Sequence, residues 1–218
     1  PARVLSIQSH TVHGYVGNKA AVFPLNLRGI EVDPINSVHF SNHTGYPVCR
    51  GDRLDGDQLR NLVSGLECNK LLDGYTHLLT GYIGAPSFLR AVLDTLASLR
   101  AANDSLVYLC DPVLGDHGKL YVPEELVAIY RDEVVPTATM LTPNQFEVEL
   151  LTKRAIASEA DAAAACESLH ARGPHTVVIT SLRLASEPNQ VLMFASRHHA
   201  GVTRQWRPRP PALAPELT

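Results

Sequence analysis

Leu106-Val107-Tyr108-Leu109-Cys110-Asp111-Pro112-Val113-Leu114-Gly115-Asp116 decides the fold of this 218-residue chain. Five apolar residues in a row, from Leu106 to Cys110, read as a strand covered on both faces. Asp111-Pro112 stops it, because proline offers no ladder donor and favours a turn. Upstream, 88–99 has helical spacing and 77–80 is a second strand. Before that, 57–68 is a helix with Leu59, Leu62, Val63 and Leu66 on one face. Further back lie a strand over 31–38, a helix over about 17–27 that contains Pro24, and a short strand over 4–7. Downstream come a helix over 124–135, a strand over 139–141, helices from 143 to about 151 and over 158–170, and strands over 176–180 and 191–195. This alternation predicts an α/β protein with a mainly parallel central sheet and helices on both faces. In open sheets of this kind ligands bind beyond the carboxyl ends of the strands. The residues found there are Ser9-His10, Ser41-Asn42-His43-Thr44-Gly45-Tyr46, Thr80-Gly81-Tyr82, Asp111 to Asp116, Thr142-Pro143-Asn144 and Thr180-Ser181. All these segments are rich in small polar residues, and they are expected to converge on one rim.

Composition excludes several classes. With 45% hydrophobic and 19% charged residues, the chain has the balance of a globular domain. A net charge of −3 gives no reason to expect a nucleic-acid partner. No apolar run reaches the length of a membrane span, and the opening residues lack a signal pattern. The chain opens on Pro1, not Met, so a few preceding residues are expected. Cys49, Cys68, Cys110 and Cys166 include no C-x-x-C pair, which argues against a zinc or redox site. A reduced, cytoplasmic protein is expected. From Arg197 onward, Arg204, Arg207, Arg209, Pro208, Pro210, Pro211 and Pro215 crowd the sequence and no strand or helix period is visible. One domain over 1–196 and a disordered Arg/Pro-rich tail over 197–218 are expected.

Two segments could carry chemistry. Asp111 and Asp116 flank a Pro-x-x-Gly turn at a strand end. They could hold Mg²⁺ against phosphates or simply shape a turn and its solvated edge. In Thr142-Pro143-Asn144-Gln145-Phe146-Glu147, Thr142 reads as a helix cap, Pro143 as the first helical residue and Gln145 as the closing member of a capping box. Asn144 and Glu147 are then unexplained, and they share a helical face near the positive end, where phosphates are favoured. Ser9, Thr44, Tyr82 and Tyr121 could contact a small polar aromatic ligand, although each is also an ordinary turn or core-edge residue. His10, His13, His39 and His43 have loop-like spacings that no Cys or carboxylate completes, which argues against zinc. There is no Walker A loop, dinucleotide turn or nucleophile elbow, so any ATP site is not of the P-loop kind.

Several long segments together resemble pyridoxal kinases of the animal type. They are Leu5-Ser6-Ile7-Gln8-Ser9-His10, Gly14-Tyr15-Val16-Gly17-Asn18, Asn36 to Tyr46, Leu79-Thr80-Gly81-Tyr82, Cys110 to Asp116, Tyr121-Val122-Pro123 and Leu141 to Glu147. The resemblance runs in order from about Arg3 to Ser196. It implies a three-layer ribokinase-like fold and ATP-dependent phosphorylation of the 5′-hydroxymethyl group of pyridoxal, pyridoxine and pyridoxamine. It also implies a homodimer that uses Mg²⁺ or Zn²⁺ with a monovalent cation, K⁺ or Na⁺. By this likeness Ser9, Thr44 and Tyr121 contact the vitamin, with Tyr82 nearby. Asp111, Asp116, Thr142 and Glu147 serve the metal and phosphate region, and Asn144, Thr180 and Ser181 face the nucleotide. Such roles suit phosphoryl transfer, in which the protein mainly positions groups and neutralises charge. A hydroxymethylpyrimidine kinase of the same superfold is the nearest competitor, and the Ser41–Tyr46 and Thr142–Glu147 segments favour pyridoxal kinase.

One departure is plain. The family's Gly-Thr-Gly-Asp motif, which supplies an anion hole and the catalytic base beyond the strand corresponding to 191–195, occurs nowhere in this sequence. The catalytic Asp and the C-terminal part of the fold are therefore expected to be missing. The chain alone is expected to have little or no kinase activity, with vitamer binding or pairing with a full-length subunit as the alternative role.

Overall fold

The computed structural model describes residues 2–208. β1 (Arg3–Thr11) leads through α1 (Asn18–Leu27) to β2 (Glu31–Phe40), which lies parallel to β1. The β1–β2 register slips between Gln8 and Ser9; this bulge re-aims the last residues of both strands. β3 (Gly51–Arg53) folds back antiparallel on β2. α2 (Gly56–Cys68) begins at a capping box in which the Asp55 side chain accepts from the Gln58 amide at 2.8 Å and the Gln58 side chain accepts from the Asp55 amide at 2.9 Å. After β4 (His77–Thr80), α3 (Pro86–Ala102) starts with proline in its first turn and buries Phe88, Leu89, Val92, Leu96 and Leu99 along one side. β5 (Val107–Cys110) follows.

A small hairpin, β6 (Gly115–Asp116) and β7 (Lys119–Leu120), rises from the strand end. Its turn residues His117 and Gly118 both have positive φ, 48° and 74°, as a tight two-residue hairpin loop requires. Sequence periodicity predicts one helix over 124–135. The chain instead forms α4 (Glu125–Ile129), a wider π-helical turn over Tyr130–Val134 and a 3₁₀ turn over Val135–Thr137. Pro136 has no amide to donate, so regular helix cannot continue through it. Tyr130, Val134 and Val135 are all buried, so this irregular stretch still packs into the core.

β8 (Met140–Leu141), α5 (Gln145–Thr152), α6 (Glu159–His170), β9 (Thr176–Leu182), β10 (Leu192–His199) and β11 (Val202–Trp206) complete the order. The nine-stranded sheet runs β11-β10-β9-β8-β5-β4-β1-β2-β3. The six strands from β9 to β2 are parallel, and the antiparallel β3 closes one edge and the β10–β11 hairpin the other. One contiguous core joins sheet and helices, with Leu5, Ile7, Leu78, Tyr108, Leu126 and Leu141 wholly or almost wholly enclosed.

The expected tail needs correction where the structure describes it. Residues 197–206 are not disordered: β10 continues to His199 and pairs with β11, with Arg197 opposite Arg204 and Ala195 opposite Trp206. Ala200 and Gly201 make the turn with φ of 50° and 76°. Alanine at positive φ is not a turn signal in sequence, and the arginines hide the Val202-x-Arg204-x-Trp206 alternation. The rest of the expected tail, residues 209–218, lies outside the described residues. Among the described residues no helix is long and apolar enough to cross a membrane.

Candidate active site

The parallel strands present their polar carboxyl ends on one side. There a cavity of about 710 Å³ is lined by Gln8, Ser9 and Thr11 of β1, by Val38 and Phe40 of β2, by Val16, His43, Thr44 and Tyr82 from the adjoining loops, and by Asp111, Val113 and Tyr121 from the β5 side. Five of the residues singled out from sequence thus meet: Ser9, Thr44, Tyr82, Tyr121 and Asp111. A slightly larger groove of about 740 Å³ runs along the first halves of β1 and β2 over Leu5, Ile35, Leu62 and Leu66. It lies away from most of the strand carboxyl ends. Its charged end is already neutralised by the Arg3 pairings with Glu31 and Asp33, so it is the weaker candidate.

The β1–β2 side of the cavity rests on a buried amide and hydroxyl network. Asn18, the first residue of α1, donates from Nδ2 to the Ile35 carbonyl and to Asn36 Oδ1, both at 2.9 Å. Its Oδ1 accepts from Ser6 Oγ at 2.7 Å, and Ser6 Oγ accepts from Gln8 Nε2 at 2.9 Å. Gly17, just before, has φ of 51°, and a Cβ there would lie 2.1 Å from the Ser9 carbonyl oxygen. Both facts require glycine, and together they press the start of α1 against Ser9. Tyr82 is held at both ends: its carbonyl accepts from Ser37 Oγ at 2.9 Å and its hydroxyl from Arg53 at 3.3 Å.

The β5–β8 side is built on carboxylates. Helix α5 does not start as the sequence predicts. Asn144 is the cap and Glu147 closes the box, with the Glu147 amide donating to Asn144 Oδ1 at 2.9 Å and the Asn144 amide to Glu147 Oε2 at 2.8 Å. Thr142 remains with the sheet, its amide donating to the Cys110 carbonyl at 3.1 Å. The two residues left unexplained by the sequence reading are therefore the ones that start the helix. They also grip the neighbouring loop. Glu147 Oε1 accepts from the Leu114 amide at 2.9 Å and the Gly115 amide at 3.5 Å, and Asn144 Nδ2 donates to the Gly115 carbonyl at 2.7 Å. Burial pushes the Glu147 carboxyl up to about 7, against the opposing pull of these amides. Asp111 has no side-chain hydrogen bond among the described residues, and burial alone pushes it up to about 6.

Asp111, Asp116 and Glu147 do not assemble into a ready cation site: among the described residues no three His, Cys, Asp or Glu side chains group to hold a metal. Glu147 is committed to backbone amides, and Asp116 turns to its own hairpin, accepting from the His117 amide at 2.8 Å. Asp111 is the carboxylate free to face the cavity. One free carboxylate fits a cation such as Mg²⁺, which commonly takes one or two protein carboxylates and completes its shell with waters and phosphates. Thr180 and Ser181 lie at the end of β9 and outside the cavity wall, with the Thr180 amide donating to the Pro143 carbonyl at 2.9 Å. Sequence reading missed Gln8, Thr11, Val16, Val38 and Phe40 as wall residues, while Val113 lies in the Asp111–Asp116 segment it placed on the rim. Gln8 and Thr11 each stand within two residues of Ser9, and that spacing was the available signal.

Fold and rim together define a ribokinase-like α/β protein. Residues 74–208 match the model of the phosphomethylpyrimidine kinase family. A pyridoxal kinase from Arabidopsis thaliana is 64% identical over 196 residues, covering 90% of this chain and 62% of that protein. The pyridoxal kinase of Sus scrofa is 54% identical over 198 residues, covering 89% and 61%. The structure of pyridoxal kinase from Leishmania donovani in complex with ADP and pyridoxamine superposes with a TM-score of 0.89 at 41% identity, covering 97% of this chain and 76% of that one. Within the class so defined, this chain belongs to the pyridoxal kinase family. It spans about three fifths of the length of the curated relatives it matches.

Proposed function

We propose that this chain binds pyridoxal, pyridoxine and pyridoxamine in the strand-end cavity as part of an ATP-dependent pyridoxal kinase. The observation that carries this reading is the convergence of Ser9, Thr44, Tyr82 and Tyr121 with the free carboxylate Asp111 around one cavity. The first four offer hydroxyls and aromatic faces to a substituted pyridine. Asp111 would face the cation and phosphates that accompany ATP, with Asp116, Thr142 and Thr180-Ser181 further along the rim. A divalent ion, Mg²⁺ or Zn²⁺, supplies charge neutralisation at the transferring phosphate when bound, and a monovalent ion, K⁺ or Na⁺, accompanies it. α1 exposes Phe23 and Leu27, at 68% and 70%, an apolar face that a second copy would cover in a homodimer. Four free cysteines accord with a cytoplasmic setting.

Isothermal titration of the 218-residue chain with pyridoxal tests the reading. Saturable one-site binding, weakened by Ser9→Ala, supports it. Absence of binding to all three vitamers overturns it. A second reading, vitamer binding without turnover, concerns these 218 residues taken alone, which hold no Gly-Thr-Gly-Asp. Loss of a positioned general base typically costs about 10²–10⁴ in rate. Pyridoxal 5′-phosphate formation by this chain is therefore expected to fall at least about a hundredfold below that of a full-length relative, and comparable turnover would remove the second reading.

A further inference from the structure

Thr11 ends β1 and is one of the residues that line the cavity. It is 2% exposed, and its Oγ1 has no hydrogen-bond partner among the described residues. A buried hydroxyl without a partner is costly, and native structures avoid it unless a partner arrives from elsewhere. Valine would fill the same space without that cost and suits a strand better. The neighbouring wall is apolar, with Val16, Val38 and Phe40, and Phe40 is the cross-strand partner of Thr11. Ser9, two residues earlier on the same strand, lines the same cavity. An aromatic ring packed between these apolar residues would have the Thr11 hydroxyl beside it, in addition to that of Ser9.

We propose that the Thr11 hydroxyl hydrogen-bonds a polar substituent of the ring bound in the cavity, and so helps to select polar-substituted rings over plain aromatic ones. The proposal rests on the vitamer-binding reading above. Thr11 acts here in recognition and takes no part in moving the phosphoryl group.

The test uses the full 218-residue chain and its Thr11→Val and Thr11→Ser variants, titrated calorimetrically with pyridoxal, pyridoxine and pyridoxamine, alongside thermal unfolding without ligand. Thr11→Val is expected to weaken binding of at least one vitamer roughly 5–50-fold, the range for a ligand group left without its partner. Thr11→Ser is expected to stay within about threefold of the parent. The unliganded Thr11→Val protein should unfold at the same temperature as the parent or higher, because an orphan hydroxyl has been removed. Three results overturn the proposal: Thr11→Val binding every vitamer within about twofold of the parent, Thr11→Ser losing as much as Thr11→Val, or a lower unfolding temperature for Thr11→Val. The second would mean that the methyl group matters and not the hydroxyl, and the third that the hydroxyl has a structural partner. If the parent binds no vitamer, the vitamer-binding reading falls and this proposal with it; parent binding that Thr11→Val leaves intact removes this proposal alone.

Discussion

The two sides of the cavity are held by opposite kinds of polar chemistry. On the β1–β2 side, Ser6, Gln8, Asn18 and Asn36 join in a neutral network. On the β5–β8 side, the half-buried carboxyl of Asp111 and the buried one of Glu147 are both pushed upward by desolvation. Neutral groups satisfied by one another fix geometry whatever the pH. Buried carboxyls fix geometry too, but their cost changes with ionisation. The difference teaches that one wall is built for shape and the other for charge, which suits the proposed binding of a neutral ring beside a cation and phosphates. Each wall can be attacked separately.

The largest effect is expected at Asn18. Asn18→Leu strips partners from Ser6 Oγ, the Ile35 carbonyl and Asn36 Oδ1 at once. Leaving several buried polar groups unsatisfied should cost about 3–5 kcal/mol, with no dependence on pH between 5 and 8. Urea unfolding at both pH values measures this. A loss below 1 kcal/mol, or a strongly pH-dependent one, would show that the network is not the neutral scaffold described.

The carboxylate wall should behave differently. Glu147→Gln keeps the shape but sets its NH₂ donor against the Asn144 or Leu114 amide, where the hydroxyl oxygen of the protonated carboxyl can still accept, so at pH 5 it should cost about 2 kcal/mol. The folded protein holds the Glu147 proton up to about pH 7, whereas the ordinary value is 4.5. The parent therefore loses stability as pH rises through that window, and the variant does not. The cost of Glu147→Gln should shrink by pH 8, and a constant cost at both pH values would contradict it. Asp111→Asn is the cleaner probe because Asp111 has no side-chain hydrogen bond among the described residues to lose. Its carboxyl moves from 3.8 to about 6 on folding, so the parent's stability is complete below the lower value and falls as pH rises through the upper one. Asp111→Asn should thus stabilise the unliganded protein at pH 8 by on the order of 1–3 kcal/mol and do little at pH 4. It should also weaken metal-dependent nucleotide binding. Equal stability at pH 8 would mean that Asp111 is not desolvated.

Much of this contrast was legible before any coordinates. The apolar strand read over 106–110, stopped by Asp-Pro, placed Asp111 at a strand end, and the same logic placed Ser9, Thr44 and Tyr82 on the rim. What was not legible has local causes. Thr142-x-x-Gln145 and Asn144-x-x-Glu147 are overlapping capping boxes, and local sequence cannot choose between them. The choice is made by the sheet, which holds the Thr142 amide on the Cys110 carbonyl. The strands β3, β6 and β7 have two or three residues each, too few to show a period. The Asn18 network joins residues up to 18 positions apart, and nothing in the local pattern of Gly17-Asn18 announces that its amide will reach β2.

Between the two walls lies a third contact, and it tests whether they are separate. Thr80 Oγ1 and Tyr108 Oη meet at 3.1 Å, fully buried, across β4 and β5. Tyr108→Phe removes the hydroxyl with almost no change in shape. If the pair is a neutral tie like those of the β1–β2 side, the loss is one ordinary buried hydrogen bond, about 1 kcal/mol, equal at pH 5 and pH 8. Thr80 lies on β4, next to β1, but the pair shares no hydrogen-bond partner with the Asn18 network, and sites that share no partner combine additively to within about 0.5 kcal/mol. Tyr108→Phe and Asn18→Leu should therefore add in the double variant. Tyr108 is adjacent in space to Cys110 and, through it, to Asp111 and Glu147. A Tyr108→Phe cost that grows with pH would place the hydroxyl in the charged wall, and the boundary between shape and charge would then run between β1 and β4, next to the β1–β2 wall.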